Sequence, residues 1–350
     1  MNTFSRLILE WHKDIDRQMP WKNTKDPYKI WVSEIILQQT RVKQGIGYYL
    51  RFIEAFSNIK SLATAPQTDV LKIWEGLGYY SRARNLQIAA KDILNRFGGV
   101  FPKEYNDILS LKGIGPYTAS AISSFAFGGV YPVIDGNVIR VLSRYFGITE
   151  PVDRSKGKKV INRIAIESID TNFPAPYNQA IMDFGALVCM PKRPSCADCV
   201  MSKSCIALKK NIVNQLPNKP KKTIVKDRFM YYFICFNNDK ILVRQRKNKG
   251  IWEGLYEFPG IESPKKLTQK EIISAGIEKK TGLVLQSIQK CGYLEQKLTH
   301  LNLYITFFRA NIFSNNNFDN NIRLEKMSKL STFAFPKPLK TFIASTLLKK

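Results

Sequence analysis

The sequence predicts an all-helical domain followed by a smaller α+β domain, and three observations carry that expectation. Apolar residues recur three and four apart through the first two hundred positions, broken by short Gly or Pro punctuations. Past residue 225 the pattern changes to aromatic, β-prone runs at 229–236 and 301–312. Between them, residues 211–226 carry two prolines and four lysines, which reads as a linker. A chain of 350 residues also suits two domains at roughly 150 residues each. With 44% hydrophobic and 12% aromatic residues both parts can build a core, so the expected domains are 1–210 and 227–350.

The opening residues carry charges at Arg6, Glu10 and Asp14 and no apolar run ending at a small-residue cleavage site. No export is expected, and the protein is placed in the cytoplasm. Asp26 followed by Pro27 reads as an N-cap and first helical residue, opening a helix to about Gln44. Residues 57–71 and 83–97 show helical periodicity. Gly115 and Pro116 repeat the start signal for a helix to about Phe127, and Asp135 caps one over 136–146. Residues 113–134 are uncharged but hold four Gly and two Pro, the composition of a buried helix with its turns rather than a membrane span. In the second part a helix is expected over 268–281, and the Asn-rich run 315–321 reads as a surface loop.

Lys and Arg number 54 against 28 Asp and Glu, a net charge of +26, with 29 basic and 18 acidic residues in 1–210 and 25 and 10 in 211–350. An excess spread along the whole chain favours a polyanionic partner, because each neutralised phosphate releases counterions. A merely solvated, lysine-rich surface fits the same numbers. His12 and His300 are the only histidines, so a two-histidine zinc helix is excluded.

Cys189, Cys196, Cys199 and Cys205 fall within seventeen residues. In an otherwise cysteine-poor chain such a group reads as metal ligands. Zinc favours paired Cys-x2-4-Cys arms, whereas this single uneven loop is better matched to wrapping an iron–sulfur cluster. Cys235 and Cys291 read as core residues of the second part. Leu-Lys-Gly-Ile-Gly-Pro-Tyr-Thr-Ala over 111–119 is a helix–hairpin–helix signature, in which Gly113 and Gly115 permit a tight turn whose backbone N–H groups can hold a phosphate. Glu34 sits among apolar residues at 30–37; burial would raise its pKa toward that of a general acid. Its spacing to Gln38 and Arg41 equally fits the polar stripe of an amphipathic helix, and Asp135 fits a plain helix cap.

Together these segments resemble the adenine-specific DNA glycosylases of base-excision repair, the MutY family. The resemblance covers about residues 5–210 and rests on Met-Pro-Trp-Lys at 19–22, the run from Pro27 to Thr40, Trp-Glu-Gly-Leu-Gly-Tyr-Tyr-Ser-Arg-Ala-Arg at 74–84, the hairpin, Val-Ile-Asp-Gly-Asn at 133–137, and Asn178 to Gly185 leading into the cysteines. It implies a helix–hairpin–helix glycosylase domain with a 4Fe–4S cluster loop at 189–205 and a Nudix-like second domain. It further implies a monomer acting on duplex DNA that holds adenine opposite 8-oxoguanine or guanine, at the nucleoid and away from membranes. Endonuclease III shares the hairpin and the cluster, but there a lysine follows the hairpin and attacks the sugar carbon. Tyr117 stands at that place here, which implies a monofunctional enzyme.

On this resemblance Glu34 protonates the adenine ring and Asp135 stabilises the oxocarbenium-like sugar, supported by Tyr117 and Asn137. Arg17, Met19, Trp21, Lys22 and Gln179 match positions lining the adenine pocket. Gln39 and Tyr79 match positions near the vacated stack and the opposite base. Lys192 and Arg193 in the cluster loop suit phosphate contact. In the second domain, Trp-Glu-Gly-Leu-Tyr-Glu-Phe-Pro-Gly at 252–260 resembles a Nudix entry, while 271–283 lacks the acidic run needed for magnesium-dependent pyrophosphate cleavage. Leu298, Thr299 and His300 replace a Phe-Ser-His loop that reads 8-oxoguanine, keeping the hydroxyl and the imidazole and losing the aromatic ring. Lys112 stands where many relatives carry proline, which adds positive charge to the hairpin.

Overall fold

A computed structural model describes residues 3–22, 24–219, 225–247, 249–274, 285–312 and 321–348. The chain divides into two compact units: residues 1–64 with 85–221, and residues 65–84 with 222–350. The second unit thus recruits a segment from within the helical half of the sequence. No helix among the described residues is long and apolar enough to cross a membrane.

The first unit is helical. Helices α1 (Thr3–His12), α2 (Pro27–Leu37), α3 (Val42–Ala55) and α4 (Ile59–Thr64) lead through the other unit's segment, with its short α5 (Gln67–Ile73), to α6 (Ser81–Phe97), in which the boundary falls. Then follow α7 (Tyr105–Ser110), α8 (Pro116–Phe127), α9 (Gly136–Tyr145), α10 (Ser155–Ser168), α11 (Pro174–Leu187) and α12 (Ile206–Lys209). Asp26 caps α2 by accepting the backbone N–H groups of Tyr28 and Lys29, with Pro27 at the first helical position. The helix ends at Leu37 rather than near Gln44, because Gln39 takes a left-handed backbone (φ 57°) that an α-helix cannot continue through. The periodic run 57–71 likewise divides into α4 and α5 at Pro66, which sits at the N-cap of α5. Helix α8 starts at Pro116 and stops at Gly128, whose φ of 71° closes the C-terminus.

Helices α2 and α8 are apolar almost all round and pack on each other, the behaviour of helices buried on every face. Helix α11 packs against α1, α8 and α9. Their shared core gathers Phe4, Ile8, Val138, Leu142, Tyr177, Ile181 and Phe184.

The second unit is built on strands β1 (Lys226–Asn237), β2 (Lys240–Gln245), β3 (Tyr256–Glu257), β4 (Gly260–Ser263), β5 (Leu285–Lys297), β6 (Leu301–Ile312) and β7 (Ile322–Lys326). The sheet order is β3-β2-β1-β6-β5, with β4 on β1 and β7 on β2; β1 and β6 run parallel and the other pairs antiparallel. Helices α13 (Gln269–Ser274) and α14 (Lys337–Phe342) accompany it. Residues 275–284 and 313–320 lie outside the described residues, and with them most of the segment read for the missing acidic run, the end of the expected 268–281 helix and most of the Asn-rich loop. Cys235 is buried as expected, but Cys291 is exposed, beside a register shift in β5 between Lys290 and Gly292. Such an irregularity turns a strand residue away from the face that alternation assigns to it.

Candidate active site

Glu34 lies in the last turns of α2, where residues 30–36 are all buried, so it belongs to no solvated stripe. Gln38 and Arg41, which would have continued the stripe, fall beyond the helix. Tyr117 Oη, in the first turn of α8, donates to Glu34 Oε2 at 2.7 Å. The hairpin places that turn. Gly113 has a φ of 83°, and a Cβ on it would come within 2.7 Å of Asn85, so only glycine fits there. Burial raises the Glu34 pKa to about 7; the Tyr117 hydrogen bond opposes this and the charge of Asp135 adds to it. Burial also pushes the Tyr117 hydroxyl well above its usual range, with Glu34 next in effect.

Asp135 is indeed the N-cap of α9, and the cap is part of its chemistry. Its Oδ1 accepts the backbone N–H of Val138 at 2.7 Å and its Oδ2 accepts Asn137 Nδ2 at 2.7 Å. Burial raises its pKa, but these donors favour the ionised form and hold it back. Two carboxyl groups therefore face one cleft in different environments: Glu34 shielded by apolar neighbours, Asp135 held by N–H donors.

The cleft, about 730 Å³, is lined by Glu34, Tyr117, Asp135 and Asn137 and also by Arg17, Met19, Trp21, Lys22 and Gln179. Spacing along the chain gave no reason for the N-terminal segment to reach it; the fully buried Asp183 of α11 supplies one. Its carboxylate accepts Arg17 Nη1 at 2.6 Å and Gln179 Nε2 at 3.0 Å, pairs with Lys22 Nζ at 3.2 Å and lies 3.1 Å from His12 Nε2. Burial alone would raise its pKa, but the His12, Arg17, Gln179 and Lys22 contacts outweigh it and hold the group well below the usual carboxylate range. Trp21 meets Tyr49 of α3 edge to face, with ring centroids 5.3 Å apart.

Sequence reasoning missed Asp183, although it sits in an apolar run as Glu34 does. It also missed three supports of Asp135. The buried Asn178 side chain accepts Val133 N and donates to Ser124 Oγ and Tyr131 O, fixing the strand of chain that enters the cap. Gly185 lets α11 approach α9 so closely that a Cβ would sit 2.6 Å from Asn137 Cβ. Arg140 donates to Asn137 Oδ1 (2.8 Å), Gly185 O (2.7 Å) and Cys189 O (2.7 Å).

The four cysteines line one small cavity between α9 and the loop after α11, with Arg144, Val188 and Met201. Arg144 Nη1 donates to Cys189 Sγ and the Met201 N–H to Cys199 Sγ, both at 3.4 Å, which are donors suited to ligating thiolate. Among the described residues no three His, Cys, Asp or Glu side chains close around a single ion. Four sulfurs lining one common space, with N–H donors to two of them, are a donor set that fits an iron–sulfur cluster. Lys192 and Arg193 are exposed on the same loop, Arg193 with a φ of 51°.

Gln39 is exposed and does not line the cleft. Tyr79, Thr299 and His300 belong to the second unit. There Leu298, Thr299 and His300 form the short turn between β5 and β6, and Tyr79 Oη lies 2.7 Å from Thr299 Oγ1.

Residues 32–165 match the profile of the HhH-GPD superfamily of base excision DNA repair proteins, and residues 231–345 match the NUDIX domain. A thermostable thymine-DNA glycosylase is similar in structure at a TM-score of 0.56 and 31% identity, over 59% of this chain and 95% of that one. A non-covalent endonuclease III–DNA complex shares the fold at a TM-score of 0.52 and 18% identity, over 60% and 95%. Hairpin, cleft and fold thus define a helix–hairpin–helix DNA glycosylase of base excision repair. Among sequence relatives, the adenine DNA glycosylase of Buchnera aphidicola subsp. Baizongia pistaciae is 37% identical over 90% of this chain and 89% of its own length, and that of Arabidopsis thaliana 31% identical over 84% and 55%. The chain belongs to the adenine DNA glycosylase family, the MutY family.

Proposed function

We propose that the protein is a monofunctional, monomeric glycosylase that hydrolyses the N-glycosidic bond of adenine mispaired with 8-oxoguanine or guanine in duplex DNA and leaves an abasic site. The observation that carries this reading is the buried Glu34, held by Tyr117 and facing the same cleft as Asp135. With a pKa of about 7, a substantial fraction of Glu34 is protonated at neutral pH and can give its proton to the departing adenine. Ionised Asp135, oriented by Val138 and Asn137, stabilises positive charge developing on the sugar. Arg17, Met19, Trp21, Lys22 and Gln179 receive the base after it leaves the stack. Tyr117 has no amine, so the sugar carbon is not captured as a Schiff base.

Gly113, Gly115, Lys192 and Arg193 serve the phosphate backbone, while Gln39, Tyr79, Thr299 and His300 read the opposite strand. Cys189, Cys196, Cys199 and Cys205 hold a 4Fe–4S cluster whose contribution is to cross-link the loop and fix its basic surface. The same reading places the protein at the nucleoid, in the cytoplasm.

The test is a glycosylase assay on duplexes with adenine opposite 8-oxoguanine, guanine or thymine. Strand scission only after alkali, with thymine the poorest partner, is expected. Borohydride trapping of a protein–DNA adduct would overturn the monofunctional assignment.

A further inference from the structure

The segment 65–84 packs with the C-terminal half of the chain, and its attachment is specific. Glu75, almost fully buried, receives three donors: Phe335 N on Oε1 at 2.9 Å, and Lys72 Nζ (3.1 Å) and Lys340 Nζ (2.5 Å) on Oε2. Lys72 also donates to Phe333 O at 2.8 Å. At the far end of the segment, Arg84 grips Glu253 with both terminal nitrogens, Nη1 to the backbone oxygen at 2.6 Å and Nη2 to Oε2 at 2.9 Å. Gly254, beside Glu253, has a φ of 85°, and a Cβ on it would come within 2.9 Å of Leu71. The two anchors bracket Tyr79.

Tyr79 is the residue that needs holding. Its φ of 46° is costly for a side chain of that size, and the residue is 45% exposed, so burial does not compensate. Arg82 spans the Tyr79 and Trp74 rings and donates to Gly78 O, which also accepts Trp74 Nε1. The outer contact is the hydroxyl pair with Thr299 at the β5–β6 turn, and both partners are exposed. One exposed hydrogen bond is too weak to register a strained loop against a hairpin tip; the buried Glu75 and bidentate Arg84 contacts are of the stronger, charge-assisted kind.

We infer that Glu75 and Arg84 are positioning residues which, through Lys340, Phe335 and Glu253, set Tyr79 against Thr299 and so tune discrimination of the base opposite adenine. This rests on the proposed reading of Tyr79 and Thr299 as the opposite-strand readers. They touch no reacting atom, so loosening them alters discrimination more than basal excision.

The experiment measures single-turnover excision by the full chain from duplexes with adenine opposite 8-oxoguanine and opposite guanine. Variants are Glu75→Gln, Glu253→Gln, the charge swap Arg84→Glu with Glu253→Arg, and Thr299→Ala. The expected result is a fall of about five- to tenfold in the 8-oxoguanine to guanine rate ratio for Glu75→Gln and Glu253→Gln, since small misplacement away from the chemistry is enough to lose such a factor. The guanine rate itself should stay within about twofold, the charge swap should recover the ratio, and Thr299→Ala on top of Glu253→Gln should add nothing. Because Glu253 is partly exposed, its variant keeps the test valid if Glu75→Gln fails to fold. An unchanged ratio in Glu253→Gln alongside a lowered one in Thr299→Ala would overturn this inference and leave the reading of the hairpin intact. A wild-type ratio near one would overturn both.

Discussion

At the scale of single residues, the pH dependence of excision should be set by Glu34. Its pKa of about 7 means the acid form is lost as pH rises through neutrality, so the single-turnover rate on a mispaired duplex should decline roughly tenfold per pH unit above that value. The Tyr117 hydroxyl donates to the carboxylate and lowers its pKa, so Tyr117→Phe should move the alkaline limb to higher pH; a limb that stays in place would exclude Glu34 as the titrating acid. The same carboxyl carries a stability signature. A folded pKa above the unfolded value near 4.5 stabilises the protein below that value, and the contribution is lost as pH rises through about 7. Glu34→Gln, which cannot ionise, should therefore abolish base release while raising stability at pH 8, by on the order of 1–3 kcal/mol. At pH 4 the gain should vanish. Urea titrations at the two pH values read the difference directly.

At the scale of elements, α9 joins the two chemically distinct places of the first unit. Its N-cap is Asp135, its second and third turns carry Arg140 and Arg144, and those guanidiniums hold Asn137, Gly185 and the first residues of the cysteine loop. Arg140→Gln should then lower the excision rate by about ten- to a hundredfold through misplacement of Asp135, with substrate affinity changed much less. If affinity and rate fell together, Arg140 would be acting on DNA contact instead. Much of this was legible beforehand. Gly115-Pro116 and Asp135 announced α8 and α9 to within a residue, because capping is local chemistry written in adjacent positions. Glu34 and Asp135 were separately ambiguous, and the motifs around them, not their spacing, linked them. The end of α2 was not legible, since it depends on a left-handed Gln39 that its residue type does not announce. Nor was the role of Asp183, whose partners His12, Arg17 and Lys22 lie more than 160 positions away. The recruitment of residues 65–84 into the second unit left no mark in local composition at all.

At the scale of the whole molecule, the charge of +26 and the two acids of the cleft do separate work. Basic excess is present in both halves, and the residues after 210 hold 25 basic side chains against 10 acidic ones, so neither unit alone accounts for the attraction to DNA. Such charge acts on phosphates whatever the bases are, and its signature is a linear fall of log affinity with log salt. On the proposed reading, recognition of the mispair comes from geometry: the cleft of the first unit and the Tyr79–Thr299 contact of the second. The two contributions should therefore come apart in one experiment. Using Glu34→Gln to prevent turnover, affinity for a duplex with a single adenine–8-oxoguanine pair and for a fully paired duplex of the same length should both drop by about 10³–10⁵ between 50 and 200 mM salt, the loss expected for roughly 6–10 phosphate contacts. The ratio between the two duplexes should hold nearly constant over that range, because base contacts release few counterions. A ratio that collapsed with added salt would mean that the excess of lysine and arginine, rather than the shape of either unit, is what distinguishes the mispair.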